Sequence, residues 1–103
     1  MSYPIIKIRK IKKFESENSN YVFPKISLEE GDIIDFSDCH YSPELVLNED
    51  LENYGWDRII LQEFDPDKKE ALIEILGYNG QGFTNSEYYW CEIEILNKEN
   101  QNE

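Results

Sequence analysis

Residues 86–96, "SEYYWCEIEIL", set three adjacent rings, Tyr88, Tyr89 and Trp90, before the alternation Cys91–Glu92–Ile93–Glu94–Ile95. Successive side chains on a strand point to opposite faces, so Tyr89, Cys91, Ile93 and Ile95 share one face and Tyr88, Trp90, Glu92 and Glu94 the other. The first set reads as core. The second, two rings beside two carboxylates, is a candidate contact face. In residues 5–14, Ile6 and Ile8 share a face while Ile11 and Phe14 break the alternation, which predicts a strand carrying a β-bulge. Residues 21–26 contain Pro24 and predict a short edge strand. A turn at Glu30 and Gly31 leads into a strand from Asp32 to Phe36, with Ile34 and Phe36 inward. "RIILQEF" at 58–64 predicts a further strand, and "DPDK" at 65–68 a turn with proline in second position.

Two segments admit two readings. Ser42 and Pro43 suit a helix cap and first helical residue, so Glu44–Leu51 predicts a short helix or an edge strand. "KEALIEILG" at 69–77 suits a helix capped by Asp65 and stopped by Gly77. As a strand it alternates Ala71, Ile73 and Ile75 against Leu72, Glu74 and Leu76 in a hairpin with 58–64, and this is the preferred reading. "GYNGQGF" at 77–83 predicts a loop, with Asn79-Gly80 where φ must be positive. The fold class is therefore mainly β: a small barrel or strongly twisted antiparallel sheet of five to six strands with one short helix. One domain spans 1–96, and "NKENQNE" at 97–103 reads as a solvated, disordered tail.

"LEEGDII" at 28–34, "DPDKKEALIEIL" at 65–76 and "YYWCEIEIL" at 88–96 resemble the turn-and-strand entry, a hairpin and the closing strand of small SH3-like barrels. The likeness covers about residues 26–96, and the long 37–57 connection departs from a minimal barrel. Such a fold does not fix a function.

Composition narrows the function classes. The 103 residues provide for one domain and one core. No apolar run approaches the roughly 18 residues of a membrane span, and charges interrupt each apolar pair of "SYPIIKIRKIKKF", so neither a span nor a secretory signal is expected and the expected setting is cytoplasmic. The net charge of −12 is unevenly spread. Residues 1–14 hold Lys7, Arg9, Lys10, Lys12 and Lys13 with no acid, a local +5, which leaves −17 for the rest. Residues 27–65 carry twelve acids and one base, Arg58. That field opposes direct nucleic-acid binding and speeds encounter with a basic partner. Solubility is the rival explanation. The N-terminal bases are expected to complement acids within the sheet or on a neighbouring subunit.

Signals for catalysis or metal binding are sparse. Cys39 and Cys91 form no CxxC and suit reduced core thiols. His40, the only histidine, adjoins Cys39, but strand neighbours point apart; pairing with distant Cys91 stays open. No ligand pair has zinc spacing, Asp65 and Asp67 lack a calcium loop, and "GYNGQG" lacks the GK[ST] of a phosphate loop. No enzyme activity, metal or cofactor is expected.

Acids interleaved with aromatics do concentrate: Asp38, Tyr41, Glu49, Asp50, Glu52, Tyr54, Trp56 and Asp57, joined by Tyr88, Trp90 and Glu92. Rings that keep a polar tip dominate interface energetics, and acids can stand in for phosphates against a basic groove. Trp56 and Trp90 equally suit a core. In size and acidity the chain resembles the immunity proteins kept beside antibacterial toxins and the small acidic proteins phages use against host defence. The resemblance implies a proteinaceous inhibitor that masks a basic partner, a nuclease or other nucleic-acid-handling enzyme. The alternative is an SH3-like adaptor or peptide-binding module with a groove lined by Tyr41, Tyr54, Trp56 and Tyr88.

Overall fold

The alternating segments become strands. The computed structural model describes residues 3–17, 24, 26–50 and 52–97. Six strands lie among them: β1 (Ile5–Ser16), β2 (Ile33–Asp35), β3 (Glu44–Asp50), β4 (Gly55–Asp65), β5 (Glu70–Tyr78) and β6 (Thr84–Ile95). They form one antiparallel sheet in the order β2-β1-β6-β5-β4-β3. This is the order of an up-and-down barrel in which β6 returns to pair with β1. Among the described residues β2 and β3 do not pair, so the sheet is a curled half-barrel open at that seam. The edge strand expected over 21–26 lies mostly outside the described residues, although Ile26 packs against the core.

No helix occurs among the described residues, which corrects the expectation of a short one. Residues 44–50 take the edge-strand alternative. Glu44–Leu47 pair with Ile60–Asp57, and Leu45 packs against the core. A helix started at Pro43 would forfeit that ladder and lift Leu45 away, and cap chemistry alone is too weak to offset both. The 69–77 segment is the strand β5, in a hairpin with β4. Asp65, suited to cap a helix, caps a turn instead: its Oδ1 accepts from the Asp67 N–H at 3.1 Å and the Lys68 N–H at 3.0 Å.

Bulges produce the curl. Ile8, Ile11 and Phe14 of β1 stand opposite Ile93, Cys91 and Tyr89 of β6, a spacing of three against a spacing of two, with register shifts between each pair. Each extra residue bends and twists the strand, and each restores the next apolar residue to the same face. β4 repeats the device, with Leu61 and Phe64 opposite Ile73 and Ala71. The inner face thus gathers Ile6, Ile8, Ile34, Ile59, Leu61, Ala71, Ile73, Ile75, Tyr89, Cys91 and Ile93, closed over by Leu28 and Phe36.

Two local features fix the sheet's ends. A Cβ on Gly80 (φ +84) would lie 1.6 Å from the Asn53 carbonyl oxygen, so only glycine lets the β5–β6 loop rest against the β3–β4 turn. Asn97, placed by sequence in the tail, ties β1 down: its Oδ1 accepts from the Ile5 N–H at 3.0 Å and its Nδ2 donates to the Tyr3 carbonyl at 3.2 Å.

Candidate partner-binding surface

Residues paired across an antiparallel sheet share a face, so the register maps the outer surface row by row. From one end it runs Trp56–Tyr78–Thr84, then Val46–Arg58–Leu76–Ser86, then Glu44–Ile60–Glu74–Tyr88–Glu15, then Glu63–Leu72–Trp90–Lys13. The next row is acidic and basic only, Glu70–Glu92–Lys10. A band of half-buried apolar side chains (Ile60, Leu72, Leu76, Tyr78, Tyr88, Trp90) therefore crosses the outer face inside a charged border.

Both tryptophans belong to this face and neither joins the buried core. The Trp56 ring lies 5.4 Å from that of Tyr78, with the Arg58 guanidinium 4.4 Å from its centroid. Arg58 Nη1 also reaches Glu44 Oε1 at 3.3 Å. The Trp90 ring lies 6.3 Å from Tyr88 and carries the Lys13 ammonium 4.8 Å from its centroid. A cleft of about 600 Å³ opens beside Trp90 and Leu72, with lysines and carboxylates both on its walls.

The other sequence-predicted residues sit elsewhere. Asp38 and Tyr41 lie exposed on the β2–β3 connection, Tyr41 at 98%. Glu49, Asp50, Glu52 and Tyr54 form the tip of the β3–β4 hairpin. There the Asp50 carboxylate is held inward, accepting from the Glu52 N–H at 3.0 Å and Asn53 Nδ2 at 2.9 Å. Tyr54 is 74% exposed and adopts φ 62, a conformation bulky residues rarely take. Glu92 is exposed on the outer face. Asp57 is a correction. It shares the inner face with Ile59 and Leu61, is 2% exposed, and accepts from Asn48 Nδ2 at 2.9 Å, so it serves the fold and presents no surface to a partner.

Sequence reasoning did not single out Arg58, Leu72, Leu76, Tyr78 or Glu74. Glu74 sits in the middle of the apolar band and is 8% exposed, with Gln62 Nε2 donating to Oε1 and Ser86 Oγ to Oε2, both at 2.6 Å. The signal was available: an even-numbered set from 70 to 78 on β5 holding leucine and tyrosine as well as glutamate implies that this face is partly covered too.

Charge is sorted across the sheet. Arg9 meets Glu94 at 3.1 Å and Lys12 meets Glu70 at 2.8 Å, so the basic strand β1 answers acids of its own sheet. The hydrogen bond and charge of Glu70 hold the Lys12 ammonium above the usual lysine range. Residues 44–65, which span β3, β4 and their hairpin, carry seven acids and one base, and residues 29–38 around β2 carry five acids and no lysine or arginine. At the inner face's polar end, burial raises the Glu87 carboxyl above its ordinary value. Asp57 adds to that rise, and a hydrogen bond from Tyr89 opposes it. Burial also pushes the Tyr89 hydroxyl up to about 12 and the Cys91 thiol up to about 11. Cys39 and Cys91 are free thiols, and Cys39 Sγ donates to the Glu44 carbonyl at 3.3 Å. Among the described residues no three His, Cys, Asp or Glu side chains are grouped to hold a metal ion, and no helix is long and apolar enough to cross a membrane. Comparison with protein-family models, with curated proteins and with solved structures finds no match.

Proposed function

We propose that this is a small acidic binding protein that inhibits a basic partner, a nuclease or other nucleic-acid-handling enzyme, by covering its active surface. The observation that carries the reading is the outer face: half-buried Trp56, Tyr88 and Trp90 line an apolar band whose border mixes Glu44, Glu63, Glu70 and Glu92 with Lys10, Lys13 and Arg58, on a chain of net charge −12. Rings at such positions release water from a large rigid area on contact, and the acidic excess of the whole chain, with Glu49 and Glu52 exposed at the hairpin tip, sets the sign of the partner. In this reading the protein has no reaction of its own and works in the cytoplasm, a setting that suits two free thiols. The finer likeness to an SH3-like barrel belongs to the same proposal, supported by the bulge-driven curl and the up-and-down strand order.

The test is capture of a partner at low and high salt, followed by affinity measurement with variants of this chain. Glu49→Lys with Glu52→Lys at the hairpin tip, and Trp90→Ala on the outer face, should each weaken binding by about tenfold or more. High salt should release the partner. A ligand held equally well in salt and indifferent to the glutamate reversals would overturn the inhibitor reading in favour of the adaptor alternative.

A further inference from the structure

Among the described residues, the seam between β2 and β3 leaves one edge of β3 without a partner strand. Leu61 N–H donates to the Pro43 carbonyl at 3.0 Å, which makes Pro43 and Leu61 a hydrogen-bonded pair. In an antiparallel ladder such pairs alternate with non-bonded ones, so Leu45 and Leu47 turn their backbone groups toward β4, while Glu44 and Val46 turn theirs away. Glu44 agrees with that phase: its N–H donates to Ser42 O at 2.9 Å and its carbonyl accepts from Cys39 Sγ. The N–H and C=O of Val46 therefore point into the seam.

Native edge strands are normally blunted by lysine, proline, a bulge or sheer shortness. β2, three residues long, follows that rule. Residues 44–47 of β3 carry none of these devices, and the bulge comes only after Leu47, where Asn48 adopts φ 53. Val46 and Leu47, on opposite faces, are 44% and 37% exposed. Carboxylates flank the seam along the chain, Asp35 and Asp38 toward β2 and Glu44, Glu49 and Asp50 on β3. Asp35 accepts from Ser37 Oγ, Glu44 holds Arg58 and Asp50 holds its own turn, so Asp38 and Glu49 are the exposed acids that can meet a cation. Arg58, the one base in that stretch of chain, is committed to Glu44 and Trp56.

We propose that the open edge of β3 receives an extended basic segment of the partner as an additional strand, with Val46 giving and accepting its central hydrogen bonds. This rests on the proposal of a basic partner and specifies how the partner is held. Charge selects the occupant. A second copy would bring its own net charge of −12 against the exposed Asp38 and Glu49, whereas a segment in which lysines or arginines alternate with apolar residues sets its cations on one face and its apolar side chains on the other, against the exposed Val46 or Leu47 according to register.

The experiment titrates the full chain with an amidated decapeptide of alternating lysine and valine, reading affinity and hydrogen exchange at the Val46 amide. A second peptide of the same charge carries N-methyl groups on alternate residues, which removes the donors along one edge, and a third replaces lysine by threonine. Slowing of Val46 exchange by about tenfold or more, with about tenfold weaker binding of the N-methylated peptide, is the expected result. Val46→Pro should weaken binding similarly and Val46→Ala much less, because only proline removes the edge donor. If Val46→Pro does not fold, Val46 exchange and the N-methylated peptide decide the matter. Equal binding of both lysine peptides, unchanged Val46 exchange, or no binding of the lysine peptide overturns strand addition. Equal binding of the threonine peptide would instead contradict selection by charge, so the two failures are distinguishable.

Discussion

Tyr54 offers a direct test of the hairpin geometry. Its φ of 62 lies in the left-handed region, where a Cβ costs about 1–2 kcal/mol that glycine does not incur. Glycine gives back about 0.5–1 kcal/mol through its greater freedom in the unfolded chain. Tyr54→Gly and Tyr54→Ala both delete the ring, so their difference isolates the backbone contribution. The glycine variant should be the more stable by about 1 kcal/mol, the reverse of the order at an ordinary strand position. With a urea dependence of about 1–3 kcal/mol per molar, that separates the two unfolding midpoints by about 0.3–1 M at equal slope. The assay is urea titration of both variants followed by tryptophan fluorescence. Against a captured partner the two should bind alike, since each lacks the same exposed ring. An alanine variant as stable as the glycine one would mean that the turn is not held left-handed at residue 54, and the placement of the hairpin tip would fall with it.

Glu74→Ala should destabilise by about 1–3 kcal/mol in chemical denaturation, because Gln62 and Ser86 lose their shared buried acceptor, and Glu74→Gln should cost less. Glu87 has its folded value raised, so its contribution to stability is present below the unfolded carboxyl value and is lost as pH rises through the folded one. Glu87→Gln should accordingly be more stable than the parent at pH 7, with the gap shrinking toward pH 4 in matched melts; a gap that grew on acidification would refute the assigned direction. At pH 8 iodoacetamide should leave Cys91 unmodified in the folded protein and label it once guanidinium is added, since the thiol is buried and its ionisation pushed up to about 11. Mass spectrometry counts the adducts, and native labelling of Cys91 would contradict its placement.

On β6 the alternation Cys91–Glu92–Ile93–Glu94–Ile95 marks the strand, whereas on β5 leucines on the outer face blur the period and the preference for a strand rests on Ile73 and Ile75 and on the hairpin with 58–64. The single bulge expected in β1 became two, although the spacing of Ile8, Ile11 and Phe14 carries both. A period of three next to a period of two is ambiguous until the partner strand is known. The helix at Glu44 misled for a related reason: a cap and a proline are local cues, and the ladder with β4 that overrules them is not local. A strand that starts at Arg58 leaves Asp57 on the surface. Extending the alternation back from Leu61 through Ile59 places Asp57 inward. The acidic and aromatic positions were visible as a composition, but their division between the outer face, the hairpin tip and the inner face depends on strand parity and pairing.

The hydrogen-bonded ring of this sheet is interrupted in two different ways. Among the described residues β2 and β3 are joined by the chain without a ladder, while β6 and β1 are joined by a ladder without a chain link. In the second case, the Leu96 N–H donates to the Ile5 carbonyl at 2.7 Å and Ile6 stands opposite Ile95, so the two chain ends leave the sheet at the same rung. Force applied through Tyr3 and Asn97 would load that ladder one bond at a time, as a zipper, and would not shear it along its length. The molecule should resist heat and denaturant as a cooperative unit yet open at low tension when pulled by its ends, which makes either end an efficient handle for an unfolding protease.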